Sequence, residues 1–329
     1  MAKKILTPRE NDKILSHSDK IKFLENLISS KKIPHAFIFT GPKGIGKATM
    51  AFYFATAILS IVKNENKSQN DTELDLFGMP VEKKETSNSL INKEISERVK
   101  NNTILDLCYL QKEEDKKNIS IENIRDIHKF LNLSPADNLY RVAIIDAVDD
   151  LNLNSANGLL KILEEPNKNI ILILINHGSN TLLPTIKSRC VELKFNKLNK
   201  EDFSKILNDL GYDKNIDDLY EVSNGSVGNA IDIIEKNTIN LVEKFNKALQ
   251  QKVIKLSDIS AISKEIKSEE NWESFKNIFL NNYSHKIRSN PSKENLDKFY
   301  TISKLLFNSS ARNMDIQDTL KILSNQINT

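Results

Sequence analysis

The residues of this chain with the plainest chemical meaning form a glycine-rich run, GPKGIGK at 41–47. In the phosphate-binding pattern GxxxxGK[ST], glycines let backbone N–H groups wrap phosphate oxygens, the Lys adds charge, and a hydroxyl helps to hold Mg²⁺. Gly41, Gly44, Gly46 and Lys47 fit this pattern, but Ala48 stands where the hydroxyl belongs. Thr49 comes one place late and, on a helix, points about 100° away. Two uses stay open for such a loop: binding ATP or ADP without hydrolysis, or a shape kept with no ligand.

A second site is the end of RVAIID, Arg141–Asp146. ATPases with such loops set an Asp at that strand tip for Mg²⁺, followed by a Glu that orients the attacking water. Asp146 is in place, and the next residue is Ala147. A missing general base costs about 10²–10⁴ in rate, and an incomplete metal shell adds to the loss. Asp149 and Asp150 read as a solvated edge or a helix cap. Two independent defects in one reaction predict a chain that does not hydrolyse ATP. A third feature is LLPTIKSRC at 182–190, where Arg189 precedes a strand-like run. Taken alone, that arginine reads as a surface charge.

The elements around these residues follow the order that a phosphate-binding turn needs. AFIFT at 36–40 is strand-like, the glycine run follows, and ATMAFYFATAILSIV at 48–62 is helix-compatible. From 63 to 102 the sequence turns polar and reads as an insertion in the first crossover, holding one helix. TILDLCYL at 103–110 predicts a strand. A helix begins after Ser120, a good N-cap, with Ile121, Ile124, Ile127 and Leu131 on one face. Residues 141–146 predict a buried strand, 154–165 a helix stopped by Pro166, 170–175 another buried strand, and 191–195 a last one. Strands alternating with helices, several of them continuously apolar, predict an α/β fold: a parallel sheet with helices on both faces. Past 196 only helical patterns occur. The natural division is a core over 1–196, a small helical domain over 197–237 and a larger helical domain over 238–329.

Composition bounds the class. The net charge of +3 neither demands nor excludes a nucleic acid partner. Cys108 and Cys190 are far apart in sequence, which excludes a disulfide framework and points to a reducing compartment. The start, MAKKILTPRENDK, has no apolar core of a signal peptide, and no apolar run is long enough to span a bilayer. These features predict a cytoplasmic protein. The scattered histidines suggest no His-based active site, both cysteines read as buried strand thiols, and Trp272 reads as packing.

Two stretches carry a resemblance: IPHAFIFTGPKGIGKATMAFYFATAIL (33–59) and VAIIDAVDDLNLNSANGLLKILEEPNKNIILILINHGSNTLLPTIKSRC (142–190). They resemble the clamp-loader branch of the AAA+ ATPases, and within it the delta-prime type of subunit of bacterial DNA polymerase III. NGLLKILEEP and LLPTIKSRC are the most specific segments, and the resemblance covers most of residues 14–237. It implies an AAA+ core, a helical lid and a C-terminal helical collar. It implies that Arg189 is an arginine finger acting in trans on a neighbour's ATP site. It implies that Gly41, Gly44, Gly46, Lys47, Asp146 and Asn176 form a degenerate nucleotide site, with Asn176 at the sensor strand end. Active clamp-loader ATPases carry a second sensor arginine in the lid; here GSVGNA places Gly228 at that position. The implied partners are the tau/gamma and delta subunits, and through them the sliding clamp and primed DNA, within the DNA polymerase III holoenzyme. Many members hold zinc on four cysteines between the first helix and the next strand. Residues 60–110 contain only Cys108, so no zinc is expected. The rival readings are a hydrolysing tau/gamma-type subunit, an unrelated P-loop protein such as a small-molecule kinase, and a delta-type clamp opener.

Overall fold

Alternation along the apolar runs decides the architecture of the first part of the chain. In the computed structural model, which describes residues 6–11, 14–61, 90–113, 116, 118–178, 182–213, 216–250, 255–266, 269–289, 291–311 and 314–328, five strands form one sheet. They are β1 (Ala36–Thr40), β2 (Leu107–Gln111), β3 (Arg141–Asp146), β4 (Ile170–Asn176) and β5 (Val191–Lys194), in the order β2-β3-β4-β1-β5. Every pairing is parallel. Successive side chains leave opposite faces, so both faces of β1, β3 and β4 must be covered. Phe37, Phe39, Val142, Ile144, Ile171, Ile173 and Ile175 pack on one side, with residues of α1 (Ser18–Ser29), α2 (Lys47–Leu59) and α3 (Lys93–Lys100). Ala36, Ile38, Ala143, Ile145, Ile170, Leu172 and Leu174 pack on the other, with α4 (Ile121–Asn132), α5 (Leu153–Glu164) and the short α6 (Pro184–Lys187). The fold is the expected AAA+ type of α/β sheet.

Boundaries differ from the sequence reading in instructive places. The strand expected over 103–110 begins only at Leu107, because Asp106 turns its carboxylate to another task. Fully buried, it accepts hydrogen bonds from the N–H groups of Ala136, Asp137 and Asn138 and from Asn138 Nδ2, at 2.8–3.0 Å. Arg141 Nε lies 3.5 Å away. Asp106 thus fixes the turn that feeds β3. The helix expected after Ser120 forms with Ser120 and Asn123 in a reciprocal cap, and Ile124, Ile127 and Leu131 are its buried face. The last strand runs from Val191 to Lys194, so Cys190 lies just ahead of β5 rather than on it. Cys108 does lie on β2, but both thiols are half-buried rather than buried. Burial pushes the Cys190 thiol up to about 12. Of the polar insertion, residues 62–89 lie outside the described residues, and its end forms α3.

A second compact unit takes Asn199–Asn208 and Tyr212–Thr329. Its described residues contain only helices: α7 (Lys200–Asp209), whose last residue falls in the first unit, then α8 (Ile216–Val222), α9 (Val227–Glu235), α10 (Thr238–Leu249), α11 (Leu256–Glu265), α12 (Glu269–Ser289), α13 (Lys293–Ala311) and α14 (Ile316–Asn328). The turn SNGSVGNA ends α8 and opens α9, with Ser226 accepting from the Asn229 N–H. Trp272, Phe275, Phe279 and Tyr283 repeat at helical spacing on α12 and stack in series, with Phe245 of α10 against Phe275 and Phe279. Trp272 is a packing residue, 4% exposed.

Asp106 generates a stability prediction with a defined pH dependence. Burial raises its pKa, but the N–H groups of Ala136, Asn138 and Asp137 and the Asn138 side chain outweigh it, and the carboxyl sits below the usual range. A lowered carboxylate pKa stabilises the fold above the unfolded value of about 3.9, and that stabilisation is lost as pH falls through the folded value. Asp106→Ala is expected to cost about 2–4 kcal/mol at pH 7. In urea unfolding, the gap to wild type should narrow below about pH 4; a gap that stays constant on acidification contradicts this account.

Candidate functional site at the carboxyl edge of the sheet

Parallel strands deliver their ends to one edge, where open α/β sheets bind ligands. Thr40, Gln111, Asp146 and Asn176 end β1, β2, β3 and β4, and the register pairs Thr40 with Asn176 and Gln111 with Asp146. The glycine loop leaves β1 at this edge. The Gly41 N–H donates to the Asn176 carbonyl at 3.1 Å, and the Phe195 N–H donates to the Thr40 carbonyl at 2.7 Å. A Cβ at Gly41 would stand 2.2 Å from the Phe195 carbonyl oxygen, so only glycine fits. Gly44 (φ 78°) and Gly46 (φ 95°) take left-handed conformations that turn the loop into α2. His17, just before α1, braces the loop: its Nε2 lies 3.2 Å from the Ile45 carbonyl, and its ring meets Phe195 edge-on at 5.0 Å.

Lys47 opens α2 behind the loop and is 3% exposed. Its ammonium donates to the Gly41 and Pro42 carbonyls at 2.6 and 2.5 Å. Burial lowers its pKa to about 8, against the opposing pull of the Asp146 and Asp149 carboxylates. With the N-terminus of α2, this makes a cationic cradle of the type that holds phosphate.

The acid side of the site is more crowded than the sequence suggests. Asp146 Oδ2 accepts a hydrogen bond from the Tyr109 hydroxyl at 3.1 Å. His177 Nε2 stands 3.1 Å from Oδ1, at ion-pair distance but off the line of a hydrogen bond. The His177 backbone N–H donates to Asp149 Oδ1 at 3.1 Å. Asp149 is 6% exposed, which corrects its reading as a solvated edge. The reason is the 3-10 turn Val148–Asp150, which carries Asp149 to the end of β4. Asp150 remains a rim residue, 3.4 Å from Lys112. Asn176 is 7% exposed, and its Oδ1 accepts the Gly178 N–H at 3.0 Å.

The sheet therefore gathers Gly41, Gly44, Gly46, Lys47, Asp146 and Asn176 at one edge. Arg189 has other partners. Its guanidinium meets Glu164 Oε1 at 3.0 Å and donates to the Thr185 carbonyl at 2.9 Å, and neither partner belongs to the glycine loop. The two most specific sequence segments, LLKILEEP and PTIKSRC, meet through this half-exposed pair. Tyr109 and His177 were given no role at this site by the sequence reading, and Asp149 was placed on its edge. Only the His directly after the β4 run was a usable signal, and it needed the β3–β4 adjacency to be interpreted.

Residues 16–199 match the family model whose description is DNA polymerase III, delta subunit. Among curated proteins, the chain is similar to DNA polymerase III subunit gamma of Buchnera aphidicola subsp. Schizaphis graminum, 28% identical over 71% of this chain and 61% of the relative. It is similar to DNA polymerase III subunit delta' of Pseudomonas aeruginosa, 31% identical over 48% of this chain and 42% of the relative. It is also similar to DNA polymerase III subunit tau of Bacillus subtilis, 27% identical over 60% of this chain and 31% of the relative. The chain thus spans less than two thirds of the length of these relatives. Among solved structures, a DNA polymerase III gamma subunit-related protein of Thermotoga maritima aligns over 92% of this chain and 97% of its own, with 15% identity and a TM-score of 0.44.

The buried ammonium of Lys47 has a measurable consequence. Its folded pKa of about 8 lies below the ordinary lysine value, so the unfolded chain holds more protons between about pH 8 and 10.5. Stability contributed by this group therefore rises with pH across that window. Relative to Lys47→Met, wild type should gain up to about 1.4 kcal/mol per pH unit there in denaturant unfolding. A pH-independent difference between the two proteins would count against a buried, strained ammonium.

Proposed function

We propose a function from one premise: the chain belongs to the family described as DNA polymerase III, delta subunit. It is a clamp-loader type of subunit, with relatives named gamma, tau and delta'. The finer reading is that it is the delta-prime type, which does not hydrolyse ATP and supplies an arginine finger to a hydrolysing neighbour. One observation carries this reading: the loop keeps Gly41, Gly44, Gly46 and Lys47, yet the hydroxyl and general-base positions are Ala48 and Ala147. Gly228, at the position of the lid arginine, adds a third loss.

Arg189 supports the other half of the proposal. A finger contributes about 10³–10⁵ in rate at the site it enters, and it must leave its own subunit to do so. A half-exposed guanidinium tied to a half-exposed Glu164 and to the Thr185 carbonyl is released at little cost from the ion pair, since such surface pairs contribute only about 0–1 kcal/mol. Exchanging Glu164 for a neighbour's phosphate is then an easy step.

The proposal assigns the core to 1–196, the lid to 197–237 and the collar to 238–329, with tau/gamma and delta subunits as collar partners. Leu296, Tyr300 and Phe307 are 56%, 69% and 76% exposed and fall on one side of α13, which supports an assembly role for that helix. The sliding clamp and primed DNA are reached through the complex, and any direct DNA contact is made to phosphates and is salt-sensitive. Bound ATP or ADP in this chain's loop serves structure, not turnover. These steps are cytoplasmic. No helix among the described residues is long and apolar enough to cross a membrane.

A tau/gamma-type hydrolysing subunit is the second reading, favoured by the longer match to the gamma relative. Steady-state ATPase of the purified chain separates the two. The delta-prime reading expects no turnover above an Asp146→Asn control; turnover that Asp146→Asn abolishes would establish the hydrolysing reading instead.

A further inference from the structure

The cation-holding parts of the site do not fit a magnesium ion. In P-loop NTPases the hydroxyl after the Lys and a strand-end Asp hold Mg²⁺, and the ion demands near-octahedral oxygen geometry. Ala48 supplies no oxygen. Asp146 Oδ2 accepts the Tyr109 hydroxyl at 3.1 Å, and His177 Nε2 stands 3.1 Å from Oδ1, in the space beside it, without a hydrogen bond.

The Tyr109 side chain is packed in place. The Tyr109 ring packs against Phe52 at 5.0 Å, and the Arg9 guanidinium lies 5.9 Å from its centroid. The Tyr109 hydroxyl is the donor of the bond to Asp146 Oδ2. The His177 backbone N–H is bonded to the buried Asp149, which places the residue at the end of β4 beside Asp146. What remains for an anion is Lys47, the loop N–H groups and the start of α2.

We infer that Tyr109 and His177 hold the Asp146 carboxylate in the place of a divalent cation, so that this chain takes phosphate groups on Lys47 and backbone N–H groups without Mg²⁺. The second half rests on the reading that the loop still binds nucleotide; the first half does not. The hydroxyl lost at Ala48 and the engaged carboxylate are then parts of one change. A nucleotide held this way has no metal ion to polarise its phosphates.

The experiment uses the full chain with two probes, ADP and Mn²⁺. Calorimetric titration with ADP is run in Mg²⁺ and in excess EDTA, and Mn²⁺ uptake is followed by electron paramagnetic resonance in wild type and Asp146→Asn. The expected results are ADP affinities within about twofold of each other in the two buffers, and no Mn²⁺ uptake that depends on Asp146. An ADP affinity weakened tenfold or more by EDTA overturns the inference, as does Mn²⁺ binding that Asp146→Asn removes. A stability cycle tests the carboxylate contact whether or not ADP binds. Tyr109→Phe should lower the melting temperature of wild type and do so much less in an Asp146→Ala background; equal losses in both overturn the contact. Silence toward ADP in both buffers refutes the nucleotide reading, and the Mn²⁺ and cycle results still decide the fate of the carboxylate contact.

Discussion

At Gly41 the backbone passes so close to the Phe195 carbonyl that no side chain can exist there. That approach is enforced by hydrogen bonds on both sides, from Gly41 N–H to Asn176 and from Phe195 N–H to Thr40. The ends of β1, β4 and the segment after β5 are thereby clasped at one point. The loop begins from the clasp, the left-handed Gly44 and Gly46 turn it, and Lys47 is driven back beneath it against the Gly41 and Pro42 carbonyls. A larger residue at 41 would part the strands or the loop, and every later placement would shift with it.

The electrostatics of the edge follow from that geometry. A buried ammonium faces two buried or half-buried acids: Lys47 is held by loop carbonyls, Asp149 by the His177 N–H and Asp146 Oδ2 by the Tyr109 hydroxyl, while Asp146 Oδ1 faces His177 without a hydrogen bond. Such an arrangement is suited to holding an anion and ill suited to activating water, since no carboxylate follows Asp146 on the strand. On the rim of the core, Arg189 rests on Glu164, outside this network.

The sheet was legible in the sequence because its strands are continuous apolar runs, a pattern that only two-sided burial explains. Arg141–Asp146 was readable to the residue, and the loop and the first turn of α2 followed from Gly and Lys spacing. Asp106 was not legible, because its role depends on a turn thirty residues later that no local pattern announces. The same holds for Tyr109 and His177. They reach Asp146 only because β3 lies between β2 and β4, and strand order is a tertiary fact. Asp149 was misread for a related reason: its acidic neighbours suggested a solvated edge, while a single 3-10 turn carries it inside. In the second unit only Trp272 was read as packing, and the residues that stack with it along α12 and from α10 could not be named from sequence.

The central claim is that Arg189 acts on a neighbour's ATP. The most direct measurement is pre-steady-state ATP hydrolysis by a complex reconstituted with tau/gamma and delta subunits, clamp and primed DNA, with wild-type chain or Arg189→Ala. Gel filtration confirms equal assembly. A finger at one site is worth about 10³–10⁵ in rate, so the account predicts that the burst loses one site's share of turnover in Arg189→Ala while the complex stays intact. An unchanged burst in an intact complex would contradict it and remove the reason for reading this arginine as more than a partner for Glu164.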